Sequence, residues 1–162
     1  MPFLVRWPAV IRPGSRSDAM ALNIDFAETF LDAAGVGVPN AMQGRSMLAI
    51  WRGRTPADWR TSMYYRYYHD PGDHNTRAHY GVRTRTHKLI YFWKKDQWEL
   101  YDLVNDPMEM NNLYGQPGQE QLTATLEAEL LRLKRAVHDE DQLANAQLPN
   151  GVDGTVAMLR GK

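Results

Sequence analysis

Residues 62–103 read SMYYRYYHDPGDHNTRAHYGVRTRTHKLIYFWKKDQWELYDL, and the fold turns on how this stretch divides. Segments 62–68, 79–84, 87–93 and 97–103 are short and dense in Tyr, Trp, Val, Ile and Thr, residues that fit a pleated, half-buried surface. The polar run 70–75, with Pro71 and Gly72, separates the first two segments, and brief gaps separate the others. Four strands with short connections predict an antiparallel sheet. In the third segment Leu89, Tyr91 and Trp93 alternate with Lys88, Ile90 and Phe92, so apolar side chains fall on both sides and each face is expected to be partly covered.

Working outward toward the C-terminus, a cover is available. Over 118–138 the residues Leu122, Leu126, Leu130, Leu133 and Val137 step by four, four, three and four, a helix with one apolar stripe. From Asp139 onward periodicity is weak, which predicts a loosely attached tail. Toward the N-terminus, Ile24, Ala27, Phe30, Leu31 and Ala34 mark a helix over 23–34. Asn23 is its expected N-cap, Asp25 and Glu28 suit the positive end of the dipole, and Gly35 stands where a left-handed C-cap belongs. A shorter helix is expected over 46–51, closed by Gly53. The opening run MPFLVRWP is rich in strand formers and lacks the basic and apolar regions of a signal peptide. An opening strand with nothing before it to pair with is expected to be the last part of a larger sheet, so Met1 does not look like a natural beginning. The chain thus divides into a strand–helix–helix piece of α/β character over 1–55, a four-strand-plus-helix unit over 56–140, and a tail over 141–162.

Composition narrows the function classes. The chain has 162 residues, of which 43% are apolar, enough for one domain with a real core. No apolar run approaches the ~18 residues of a membrane span. Nineteen basic and nineteen acidic residues cancel, which disfavours nucleic-acid binding as the main role. The absence of cysteine excludes disulfides, thiolate metal sites and a thiol nucleophile, and leaves the compartment open.

Few residues suggest chemistry. His69, His74 and His79 sit five apart beside Asp70 and Asp73; imidazole and carboxylate suit zinc or manganese, but a polar surface loop accounts for the same pattern. His138 is placed to meet a helix C-terminus, and His87 has no assigned role. Tyr64, Tyr65, Tyr67 and Tyr68 with Arg66 offer either a stacking platform for bases and sugar rings or simply sheet core. Alternation puts Tyr65 and Tyr67 on one face and Tyr64, Arg66 and Tyr68 on the other. There is no Gly-x-Ser-x-Gly elbow and no glycine-rich phosphate loop.

Four stretches carry a resemblance: residues 2–8 with Pro13-Gly14; Asn23-Ile24-Asp25-Phe26-Ala27-Glu28-Thr29 continuing to Val36; Met42-Gln43-Gly44-Arg45-Ser46; and Glu99-Leu100-Tyr101-Asp102-Leu103 with Asp106-Pro107 through Leu113. In order and spacing they resemble the C-terminal third of sulfatases of the arylsulfatase and glycosaminoglycan-sulfatase family, as does Tyr80-Gly81-Val82-Arg83-Thr84 followed by Lys88-Leu89-Ile90. The resemblance implies an alkaline-phosphatase-like α/β domain, α+β within this chain, followed by a C-terminal subdomain of four antiparallel strands and a packed helix.

It also implies a formylglycine, made from cysteine or serine in a Cys/Ser-x-Pro-x-Arg motif, and a calcium ion held by Asp and Asn. Neither that motif nor the family's late Asp-Asn metal pair occurs here, so no catalytic or metal position is carried over; both groups are expected in the intact enzyme. Many members have proline where Glu28 stands. The segment Arg77-Ala78-His79-Tyr80-Gly81 resembles the place from which a histidine reaches the sugar, making His79 the substrate-binding candidate; a solvated strand-end histidine is the alternative.

The expected function is therefore the C-terminal portion of a sulfatase acting on a sulfated carbohydrate or aryl sulfate. It would be inactive alone, partnered by an N-terminal catalytic domain, and would contribute packing and the cleft rim. A stand-alone glycan-binding module using the Tyr64–Tyr68 face and His79 is the alternative, with single-stranded nucleic-acid binding third. Intact relatives are often periplasmic, secreted or lysosomal, and nothing in this chain chooses among these.

Overall fold

In the computed structural model, which describes residues 3–141 and Ala144, the chain forms two compact units, one ending at Thr61 and one beginning at Ser62. The break falls after Thr61 rather than near Thr55 because Trp59 and Arg60 are tied back. The Trp59 Nε1–H donates to the Met20 carbonyl at 3.0 Å, and Arg60 Nη1 reaches the same oxygen at 3.2 Å.

The first unit holds helices α1 (Asp25–Ala33) and α2 (Leu48–Trp51). α1 is turned the opposite way from its apolar stripe. Asp25, Glu28 and Thr29 are buried, whereas Ile24 and Phe30 are 46% and 62% exposed. Each buried side chain makes at least one hydrogen bond, although Glu28 Oε2 is left without a partner. Asp25 accepts the backbone N–H groups of Leu22 at 2.8 Å and Arg45 at 2.9 Å, and Arg60 grips both its oxygens, at 2.5 and 2.7 Å. Glu28 Oε1 accepts the Gly44 N–H at 2.6 Å, and Thr29 Oγ1 accepts the Met47 N–H at 2.9 Å while donating to the Asp25 carbonyl at 2.6 Å. Residues 44–47 form no strand ladder, so three helix side chains supply the partners their buried N–H groups require. Position 44 must be glycine for this: a Cβ there would run into the Ile24 carbonyl and the Glu28 carboxyl.

Asn23 is not the N-cap. Ile24 takes the N-cap position with helical φ and ψ of −67° and −14°, no side chain caps the helix, and Asn23 Oδ1 accepts the adjacent Ile24 N–H at 3.0 Å instead. Gly35 closes α1 at φ 69°, as expected, and Gly53 follows α2 at φ 81°. The strand expected at the opening is absent among the described residues. Residues 3–7 form no ladder, since a strand needs a partner and the described part of this unit contains none, and Leu4 is 93% exposed.

The second unit follows the sequence reading closely. Strands β1 (Ser62–Tyr67), β2 (His79–Thr84), β3 (His87–Phe92) and β4 (Gln97–Asp102) form an antiparallel meander in that order. The register aligns Tyr64, Val82, Leu89 and Leu100 across all four strands. Helix α3 (Glu120–Ala136) lays Leu126 and Leu130 on Val82, Leu89 and Leu100, with Leu122 and Leu133 beside them. Here the apolar stripe does face inward, because the alternating apolar side chains of the sheet give it a surface to bury.

Beyond β4, Asn112 accepts the N–H groups of Leu100 and Tyr114, both at 2.9 Å, and donates to the Trp98 carbonyl at 3.1 Å. Asp102 and Asp106 accept loop N–H groups from Val104, Asn105 and Asn111. The start of the expected tail is anchored rather than loose. Asp139 receives Arg66 at 2.8 Å, and Asp141 receives Arg66 at 2.5 Å and Lys134 at 2.6 Å. Ala144 apart, the tail after Asp141 lies outside the described residues. Among the described residues no helix is long and apolar enough to cross a membrane.

Candidate functional site

The two faces of the sheet divide the tyrosines as alternation predicts. On the α3 side the Arg66 guanidinium lies over the rings of Tyr68, Tyr80 and Trp93 at 4.7, 5.1 and 4.4 Å and is only 4% exposed. Burial opposes its charge, but hydrogen bonds to Asp139 and Asp141 outweigh that and raise its pKa. Burial likewise works against the charge of Asp139, yet bonds from Tyr64 and Arg66 hold its carboxyl below the usual range. Tyr64 is pushed up by burial and by its hydrogen bond to Asp139. Tyr64 and Arg66 are thus committed to Asp139, Asp141 and neighbouring rings, which closes this side as a stacking platform.

The other face carries Tyr65, Tyr67, His79 and Phe92. Tyr67 and His79 are direct cross-strand partners. The imidazole stacks on Tyr67 at 5.7 Å and 25°, meets Tyr65 edge-on at 5.8 Å, and lies 5.4 Å from Phe92. Its Nδ1 is 2.7 Å from the Arg77 carbonyl oxygen. Tyr65 lies opposite Gly81, and its hydroxyl occupies the space a Cβ at Gly81 would need. That hydroxyl is buried without a hydrogen-bond partner, and burial raises its pKa. His79 is therefore a half-buried ring held on three sides, not a freely solvated one.

The loop from β1 to β2 carries the remaining candidates. The Gly72 N–H donates to the Thr76 carbonyl at 2.8 Å, a short 3-10 turn spans Asp73–Asn75, and the Arg77 guanidinium donates to Asp70 at 3.2 Å. His69 lies 5.7 Å from the Tyr67 ring, and His74 is exposed. His69, His74 and His79 do not converge, and among the described residues no group of three or more His, Cys, Asp or Glu could hold a metal ion. The described residues do not fit calcium, and the sequence holds no Cys/Ser-x-Pro-x-Arg motif from which a formylglycine could be made. His87, at the far end of β3, has its Nδ1 2.9 Å from the Thr86 hydroxyl.

Sequence reasoning missed two features of this unit. The Asp70–Arg77 pair spans seven residues of aperiodic loop, and the Arg66 network joins positions 73 and 75 apart. Neither has a local signal.

The four-stranded meander carrying one long helix is shared with sulfatases and a phosphonate monoester hydrolase of the alkaline-phosphatase-like fold. Within that class the chain belongs to the family N-sulphoglucosamine sulphohydrolase, C-terminal, which matches residues 1–136. The N-acetylglucosamine-6-O-sulfatase of Bacteroides thetaiotaomicron is 50% identical over 118 residues, 71% of this chain and 21% of that protein. A structure solved in complex with its substrate D-glucosamine-2-N,6-O-disulfate aligns with a TM-score of 0.80 and 43% identity, over 84% of this chain and 28% of the other. The phosphonate monoester hydrolase of Silicibacter pomeroyi aligns with a TM-score of 0.69 and 25% identity, over 82% and 29%. The chain therefore spans between a fifth and a third of the length of these relatives.

Proposed function

We propose that this chain is the C-terminal part of a sulfatase acting on sulfated glucosamine-type glycans, inactive alone, in which His79 lies on the rim of the substrate cleft. The observation that carries this reading is the 50% identity to an N-acetylglucosamine-6-O-sulfatase over 71% of the chain. A His79 ring fixed by a backbone carbonyl and three aromatic rings supports the rim assignment. Since a phosphonate monoester hydrolase shares the subdomain, the fold does not name the ester, and the sulfated substrate rests on sequence identity. On this reading calcium and formylglycine belong to the N-terminal catalytic domain, and no residue of this chain is assigned to either. Exposed Leu4, Ile24, Phe30 and Val36 suit packing against that partner.

Sulfate release from N-acetylglucosamine-6-sulfate and from an aryl sulfate tests the reading. The purified chain should release none above a blank, and calcium-dependent turnover by it would overturn the assignment. In the intact enzyme His79→Ala should raise KM about tenfold with kcat little changed, the signature of a lost hydrogen bond made equally to ground and transition states.

A further inference from the structure

We infer that Met108 and Met110 form a peroxide modification site: their thioethers take up oxygen ahead of the other described methionines, and the loop that carries them turns from apolar to polar with the fold unchanged. The two side chains are 76% and 77% exposed, and Val104 in the same loop is 63% exposed. Met47, by contrast, is 1% exposed, and Met20, Met42 and Met63 are half-buried. A thioether has no proton to lose and needs no neighbouring base, so access to the sulfur sets the order of attack.

The loop keeps its shape without help from either methionine. Asp102 accepts the N–H groups of Val104 and Asn105 at 2.9 and 3.0 Å, and its carbonyl accepts the Asp106 N–H at 2.9 Å. Asp106 in turn accepts the Asn111 N–H on its carboxylate at 2.8 Å and the Glu109 N–H on its carbonyl at 3.0 Å. Glu109, between the two methionines, has a left-handed φ of 56°, a conformation a non-glycine residue adopts at a cost, and its carboxylate is bonded to the Lys88 ammonium on the sheet. None of these ties uses a methionine side chain. Oxygen added at either sulfur therefore breaks none of them.

The oxidant is a hydroperoxide, with hydrogen peroxide the simplest case. A sulfur lone pair attacks one peroxide oxygen; the S–O bond forms as the O–O bond breaks, and the departing oxygen leaves as water once it has taken the proton of the transferred one. Sulfur is oxidised and the peroxide reduced by the same electron pair. The product is a methionine sulfoxide, which a sulfoxide reductase can return to the thioether at the expense of a thiol. Sulfoxidation of a buried methionine puts a polar oxygen into a packed core, but here both side chains already stand in water. What changes is the surface: an apolar patch of Val104, Met108 and Met110 becomes largely polar.

Peptide mass analysis of the purified chain during treatment with hydrogen peroxide tests the site. Met108 and Met110 should gain oxygen about tenfold faster than Met47, with the circular dichroism spectrum and urea midpoint unchanged once both are oxidised. Earlier uptake at Met20, Met42, Met47 or Met63, or a lower midpoint at that stage, overturns the inference. Binding of a hydrophobic dye should fall on oxidation. The double variant Met108→Leu with Met110→Leu keeps the apolar volume and removes both sulfurs, so its dye binding should not respond at the same stage. An equal fall in the variant overturns the polarity change. The intact enzyme should show the same two sulfoxides first, and protection of both residues there overturns the site in the full-length protein.

Discussion

Arg66 satisfies two demands at once: its guanidinium lies across three aromatic rings, and its Nη1 holds Asp139 and Asp141. Removing the cation while leaving Asp139 buried should be costly, and Arg66→Met is expected to destabilise the chain by about 3–5 kcal/mol in urea unfolding. The same cluster dictates an acid response. Because the Asp139 and Asp141 carboxyls are held below their usual range, the unfolded chain takes up protons first as pH falls. Their contribution is present above about pH 4 and lost as pH drops through the folded values. Asp139→Asn should flatten the decline of the urea midpoint on the acid side, and an unchanged slope would remove Asp139 as its source. On the alkaline side, Tyr64 and Tyr80 are raised by burial, Tyr80 to about 12. Stability present below about pH 10 should fall as pH climbs above that point, since the unfolded phenols ionise first.

Two helices with comparable apolar spacing come to opposite orientations. α3 buries Leu126 and Leu130, whereas α1 buries Asp25, Glu28 and Thr29 and turns Phe30 outward. Periodicity shows that a helix has an apolar stripe, not which side meets this chain's own core. For α3 the sheet decides, and its strands were legible because their alternation and punctuation are local. For α1 the decision lies with Arg45, Met47 and Arg60, which reach it from 18 to 35 residues away. No window on the helix sequence contains them. The site divides the same way: the strand that begins at His79 was legible from local composition, but the Asp70–Arg77 pair depends on the path of a loop without a repeat. Thr29→Val preserves shape while stripping the Met47 N–H of its acceptor, and should cost about 1–3 kcal/mol by urea unfolding. Leu130→Ala, at the sheet–helix core, should cost about 2–5 kcal/mol by the same measurement.

At the scale of the whole molecule, the first unit exposes four large apolar side chains, Leu4, Ile24, Phe30 and Val36. The chain alone should bind a hydrophobic dye and associate as its concentration rises, measured by light scattering. Replacing both Ile24 and Phe30 with lysine should lower both signals while changing stability by no more than about 0.5 kcal/mol, because neither side chain is buried here. A large loss of stability would show instead that these residues belong to the chain's own core.

The second unit behaves differently at its outer margin. Asn112 takes the outward N–H of Leu100 and the carbonyl of Trp98, and the Leu113 N–H takes the Leu100 carbonyl at 2.8 Å. A foreign extended peptide arriving alongside β4 would find those positions already filled by the chain itself. Fibril-like growth by strand addition is thereby blocked at this margin.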